Sequence, residues 1–433
     1  MLCRHIFATA FLVLCLSPGA RPASFDIHAV PLSEPVREFY LKRDWAPAWS
    51  GSAPAEADAR QAVAALSKAA SEGLDPERYR IANMGDPFPN DAAITGAVLT
   101  YMRDLALGRP ELRSLDSDIG LPPRSMDFPA LLDEALRQHR LAQMLADLSP
   151  KHPEYMALKV ALPGAGEKSA IVSANMERWR WLPTVLEADR IVVNAASAEL
   201  ELSLGGKRVL TSRVVVGRPS DPTPILRAEG AGITVNPSWT IPRSIAANEI
   251  LPKLKKDPAW LVKHDMILLD GPAGDPQGLR VDWRAVRSGS FPYQIRQYPG
   301  PRNPLGQIKL ELPNRLNVYL HDTPNKADFQ KTARQLSHGC VRVEKILPLA
   351  TYALGADITA IQKISEAIEQ GGTKYLPLRK KLPVYLLYWT AASGDDGNLI
   401  YFPDVYGRDG RLIAAMRPNQ IRIASVEPPC MRG

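Results

Sequence analysis

The sequence predicts an α+β protein: a helical N-terminal half, then a β-rich half of mixed-sheet or sandwich type with a long lid insertion and a closing C-terminal hairpin. Three observations carry this. Apolar residues recur at helical spacing as far as about Val160, and beyond Asn175 they fall into short, alternating runs. Between two of those runs, Ile241 to about Gly306 is rich in proline and charge, the composition of a lid or binding loop rather than of core strands.

The first segment reads as an export signal, because Arg4 precedes the apolar run Ile6 to Leu16, which gives way to Ser17, Pro18, Gly19 and Ala20. A signal peptide is expected over 1–23, cleaved between Gly19 and Ser24. The run is well short of the roughly 20 apolar residues that a membrane span needs. Cys15 follows the bulky Leu14, which argues against lipidation there. The mature protein is expected outside the cytoplasm.

Residues 24–165 are expected to form the helical scaffold domain. Val63, Leu66 and Ala70 precede Gly73, and Ile94, Val98, Met102 and Leu105 precede Gly108, each a helical stripe with a glycine stop. A third helix is predicted from Pro129, a suitable first-turn residue, to about Leu148, where Ser149-Pro150 ends it. No internal repeat and no catalytic motif stands here. A Gly/Ala-rich link from Pro163 to Lys168 leads into the aromatic segment Asn175 to Pro183.

The catalytic domain is expected over 175–370. Strands are predicted at Ile191–Asn194, Leu200–Leu204 and Val209–Val216, with Gly205-Gly206 as a hairpin turn, and near Ile233–Val235, Ile308–Leu312 and Val318–His321. The insertion, about 243–305, should be partly helical around Ile245 to Leu254. Val384 to Thr390 and Leu399 to Phe402, separated by Ser393-Gly-Asp-Asp-Gly397, read as the hairpin of a C-terminal extension over 376–433. Trp179, Trp181, Tyr385, Tyr388 and Trp389 are expected in the core or at a domain interface.

Composition narrows the partners. The chain is 45% hydrophobic and 23% charged, and 53 Lys+Arg against 46 Asp+Glu give a net charge of +7, which suits an anionic wall polymer or membrane surface. Nucleic acid is disfavoured by export. Of the cysteines, Cys3 and Cys15 leave with the signal, so a disulfide-built scaffold is excluded. Cys340 and Cys430 remain, either as one disulfide or with Cys340 as a free reactive thiol.

Local sequence favours the thiol. Tyr319-Leu-His-Asp-Thr-Pro324 is followed by Ser337-His-Gly-Cys-Val-Arg-Val343. A thiol that attacks an acyl group needs a base, an exposed position and donors for the developing oxyanion. His321, at a strand end, can supply the base, with the carbonyl or side chain of Asp322 orienting its ring. Gly339 lets backbone amides, including that of Cys340, approach a substrate carbonyl. Arg342 adds a positive charge suited to a substrate carboxylate or to lowering the thiol pKa. His321, His338 and Cys340 would also serve as three zinc ligands, but no fourth stands nearby at a recognised spacing. No metal and no organic cofactor is expected.

The run Ser337 to Arg342 after an upstream His321 closely resembles the YkuD-type L,D-transpeptidase family. Asn175 to Pro183, Val214 to Arg218, Thr223-Pro224, Asn236 to Pro242, Arg296-Gln297, Pro299 to Gly306 and His321 to Pro324 resemble its large YcbB-like branch. The resemblance implies peptidoglycan biosynthesis, with a bearing on wall organisation and cell shape. The stem tetrapeptide would be the donor, attacked at its diamino third residue with loss of D-alanine. A neighbouring stem's diamino-acid amine would be the acceptor, giving a 3→3 cross-link through a Cys340 thioester. It further implies Cys340 as nucleophile, His321 as base, and Ser337, His338, Gly339 and Arg342 completing the motif, with Tyr319 and Trp239 as pocket candidates. Carbapenem β-lactams become the expected inhibitors. The same residues would serve an L,D-carboxypeptidase or an enzyme attaching a wall protein, and a silent wall-binding scaffold would keep the fold without the chemistry. The helical peptidoglycan-binding module common in the branch has no counterpart in this sequence.

Overall fold

A computed structural model describes residues 32–81, 87–394 and 396–417. The predicted signal peptide and Cys430 lie outside the described residues. Among the described residues Cys340 is a free thiol, and no helix is long and apolar enough to cross a membrane.

The N-terminal half is helical, as its periodicity predicts. Ser52 caps the helix Ala53–Ser67 by accepting from Ala55 N–H at 3.3 Å. Gly73 and Gly108, both left-handed, end their helical segments. The predicted third helix is two, Phe128–Arg137 and Leu141–Leu148. The break has a local cause: His139 is left-handed at φ 50°, its N–H donates to Leu136 O and that of Arg140 to Ala135 O, a Schellman ending without glycine. Inside, Phe39, Tyr40, Val98, Met102 and Leu132 pack as one core, and buried Asp91 accepts from the Tyr40 hydroxyl at 2.6 Å and from Ala48 and Trp49 N–H.

The segment Asn175–Pro183, given no element by its composition, is helical as far as Arg180, in a helix, Ser169–Arg180, whose residues from Ala174 onward are all buried. It docks on the second half through Asn175, which donates to the Thr390 hydroxyl and accepts from Thr390 N–H. Trp179 stacks on Trp389 at 4.1 Å, in the core as expected.

The β-rich half is one mixed ten-stranded sheet that closes on itself. Its path runs Ile225–Val235, Lys374–Leu387, Arg190–Asn194, Glu199–Leu204, Lys207–Gly217, Val341–Val343, Leu320–His321 and Ile308–Glu311, and the last pairs back onto the first. Closure leaves few free edges. Two junctions on this path are parallel, Lys374–Leu387 with Arg190–Asn194 and Leu320–His321 with Val341–Val343. The helical half contributes Ile119–Gly120, parallel to Ile225–Leu226.

Two strand expectations need correction. The strand ending at Val235 begins at Ile225, because alternate burial of its residues against the interior continues through the glycines. Val384 to Thr390 is not the first arm of the final hairpin. Val384–Leu387 pairs with Ile191–Asn194 inside the main sheet, and Ala391–Ser393 pairs instead with Leu399–Tyr401. A run as apolar as Val384 to Leu387 is buried on both faces, which suits a central strand.

The insertion folds as a unit of its own. Trp239–Thr240, Ile295–Gln297 and Met266–Leu268 form a three-stranded sheet, and the chain is helical from Arg243 to Lys256 with one π-helical turn, Ala246–Ile250. Ile241, Leu254, Leu261, Trp283 and Ile295 make its separate core.

Candidate active site

Register brings the candidate residues together. Leu320 pairs with Val341 and with Leu310, while His321 pairs with Arg342 and with Lys309. Side chains alternate between faces and directly paired residues share one. Leu310, Leu320, Val341 and Val343 therefore point inward, at most 1% exposed. Lys309, Glu311, Tyr319, His321 and Arg342 share the opposite face, and Cys340 enters it one residue before Val341.

The turn before Cys340 is fixed by short polar contacts. Gly339 has φ 102°, a conformation that L side chains rarely adopt. Buried Ser337 donates its hydroxyl to Cys340 O at 2.5 Å and accepts from Gly339 N–H at 3.2 Å. Thr223 donates to Gly339 O at 2.9 Å. Gly339's amide is thus occupied, while Cys340 N–H meets no protein acceptor among the described residues. The Cys340 thiol is half-buried and lies 3.8 Å from Asn317 O.

His321 is buried, with Nδ1 2.5 Å from Asp322 O. A carbonyl can only accept, so Nδ1 carries the proton and Nε2 keeps its lone pair. Of the two orienting groups considered, the carbonyl is the one used. The Asp322 carboxylate accepts from Gln307 N–H and Lys326 Nζ instead. Gly306 makes room for it: at φ 61°, a Cβ there would sit 2.3 Å from Asp322 Oδ2. Gly306→Ala is expected to cost about 1–3 kcal/mol of stability, read by thermal denaturation.

Electrostatics leave this pair neutral at rest. Burial, then the Arg342 charge, lowers the His321 pKa to about 3. Burial pushes the Cys340 thiol up, against hydrogen bonding from Tyr319 and the charges of Lys309 and Arg342. Arg342 does act to lower the thiol pKa, as its charge suggests, but burial outweighs it. Arg342 itself is half-buried and engaged by Asp328 at 3.1 Å, and Asp328 also holds Lys331 and Asn325.

The other candidates divide. The Tyr319 ring meets His321 edge-on at 5.6 Å, and its hydroxyl faces the Cys340 thiol and Trp239, which stands on the lid sheet. His338 does not join them: it is exposed, and Nε2 lies 2.5 Å from Glu249 Oε1 on the π-helical turn. It thus bridges the nucleophile loop to the lid. Three residues here escaped the sequence reading. Lys309 was visible only as the charged partner in the alternation Ile308-Lys-Leu-Glu311. Asp328 and Glu249 stand in segments without a motif.

Both halves of the chain resemble known proteins. Residues 188–373 match the model of the L,D-transpeptidase catalytic domain, YkuD, and residues 34–162 match that of the scaffold domain. A protein of Haemophilus influenzae named "Putative L,D-transpeptidase" is 28% identical over 399 residues, covering 89% of this chain and 80% of that protein. The chain thus carries a YkuD L,D-transpeptidase catalytic domain behind a scaffold domain.

Proposed function

We propose that the protein is a peptidoglycan L,D-transpeptidase, exported to the periplasm, that forms 3→3 cross-links through a thioester on Cys340. The observation that carries the reading is a free Cys340 thiol on the same sheet face as a neutral His321, under a lid, in a chain carrying this domain.

In this reading His321 Nε2 takes the thiol proton as sulfur attacks the carbonyl of the third stem residue. The Cys340 N–H and the Tyr319 hydroxyl are the donors available to the oxyanion. The carbon–nitrogen bond to D-alanine breaks and His321 returns the proton to the leaving amine. A neighbouring stem's side-chain amine then attacks the thioester, gives its proton to His321, and frees the thiol. Ser337, Gly339 and Thr223 hold the turn, and Trp239 with Tyr319 walls the pocket. A carbapenem would acylate Cys340 by the same first step.

The test is mass spectrometry of tetrapeptide muropeptides incubated with the mature protein and with Cys340→Ala. A 3→3 dimer with loss of alanine, absent in the variant, is the expected result. Loss of alanine without a dimer would indicate the carboxypeptidase, and no change would sink the enzymatic reading.

A further inference from the structure

We propose that Lys309 is a positioning residue of the nucleophile: its ammonium, clamped between Glu311 and the Tyr319 ring, stabilises the Cys340 thiolate once His321 has taken the proton. The inference rests on Cys340 being the nucleophile.

Lys309 is forced onto the reactive face by its strand. Ile308 and Leu310, 2% and 1% exposed, fill the interior, so Lys309 and Glu311 must point the other way. Register sets Lys309 beside His321 on one side and Thr234 on the other. Its side chain is only 19% exposed, a position that costs a lysine its hydration unless partners replace it. Two do. Glu311 lies 2.9 Å from Nζ and is itself held by the Thr234 hydroxyl at 2.6 Å. The Tyr319 ring centroid is 4.2 Å from Nζ. Tyr319 in turn presents its hydroxyl to the Cys340 thiol.

The motif's own cation is ion-paired as Lys309 is, at 3.1 Å against 2.9 Å. Arg342 is held by Asp328, and of the two cations acting on the thiol Lys309 has the larger effect. The groups acting on Cys340 are thus Tyr319, Lys309 and Arg342, with Glu311 and Asp328 behind the two cations and His321 paired beside Arg342 on the same face. Asp322 is taken up by Lys326 and Gln307 N–H, and Glu249 by His338. A lysine placed for packing alone has no need of this alignment. The step needs no outside reactant: the proton passes from sulfur to His321 Nε2 and the electron pair stays on sulfur.

The experiment is the pH dependence of Cys340 alkylation by iodoacetamide in the full mature chain, followed by mass spectrometry, because only thiolate reacts appreciably. Lys309→Met should raise the midpoint by about one unit, about tenfold slower labelling at a given pH below it. Lys309→Arg should restore most of the rate. Glu311→Gln removes the counter-charge and should move the midpoint the other way, which keeps the test open if Lys309→Met does not fold. Unmoved midpoints, or shifts in the same direction, overturn the inference and leave the transpeptidase reading standing. No labelling of Cys340 at any pH overturns both.

Discussion

Acylation of Cys340 by a tetrapeptide donor is expected to slow by about 10²–10⁴-fold in His321→Gln, with the fold retained. The side chain of Gln has similar bulk and can still meet Asp322 O, but it offers no basic nitrogen at Nε2. The pH profile separates loss of a base from loss of shape. His321 takes up a proton only near pH 3, so acidification to about pH 5 leaves the wild-type base free. Burial keeps Cys340 protonated above the usual thiol range, so its ionisation does not shape the neutral region. Wild-type acylation should therefore be nearly flat across neutral pH, with the proton transferred in the step itself. In His321→Gln only preformed thiolate can attack, and the rate should rise about tenfold per pH unit in the same range. Intact-protein mass spectrometry of the acyl-enzyme measures both. A flat profile in the variant would show that His321 is not the base.

The centre of the site was legible because it is nearly contiguous. Ser337, Gly339, Cys340 and Arg342 lie within one turn and strand, and His321 ends the strand that pairs with it. What surrounds them depends on register between segments distant in sequence. Lys309 reaches His321 only through an antiparallel pairing, and Asp328 reaches Arg342 from a 3₁₀ turn, which no local pattern predicts. His338 shows the converse failure. It stands inside the motif, yet the chain reverses at Gly339 and sends its ring to Glu249 on the lid. The fold follows the same division. The α+β order was readable from periodicity, whereas the first arm of the final hairpin and the placement of Lys374–Leu387 in the centre of the sheet were not. Its long charged first half resembles a surface segment, and only pairing with Ile225–Val235 explains it.

Arg180→Met is expected to cost about 3–5 kcal/mol, the cost of leaving a buried charge without its partner. Arg180 and Glu177 are both fully buried, 3.4 Å apart on the helix Ser169–Arg180. Arg180 also donates to the Tyr155 hydroxyl at 2.8 Å and to Glu72 O. Glu177 accepts from Arg109 N–H at 2.7 Å and from the Trp181 indole at 3.2 Å. Its carboxylate fills the space beside Gly108, where a Cβ would come within 2.7 Å. These contacts tie Glu72 and Arg109 of the scaffold to the helix whose Asn175 and Arg178 hold Thr390 and Asp409 of the β-rich half. Because one helix belongs to both, the halves should melt together, and Arg180→Met should lower a single transition by roughly 4–6 °C in calorimetry. Adding Glu177→Gln should recover part of the loss, since the uncompensated charge goes with it. Two separate transitions in the wild type would refute the shared helix as the coupling element. No recovery in the double variant would place the cost in lost hydrogen bonds to Tyr155 and Glu72 rather than in the stranded charge.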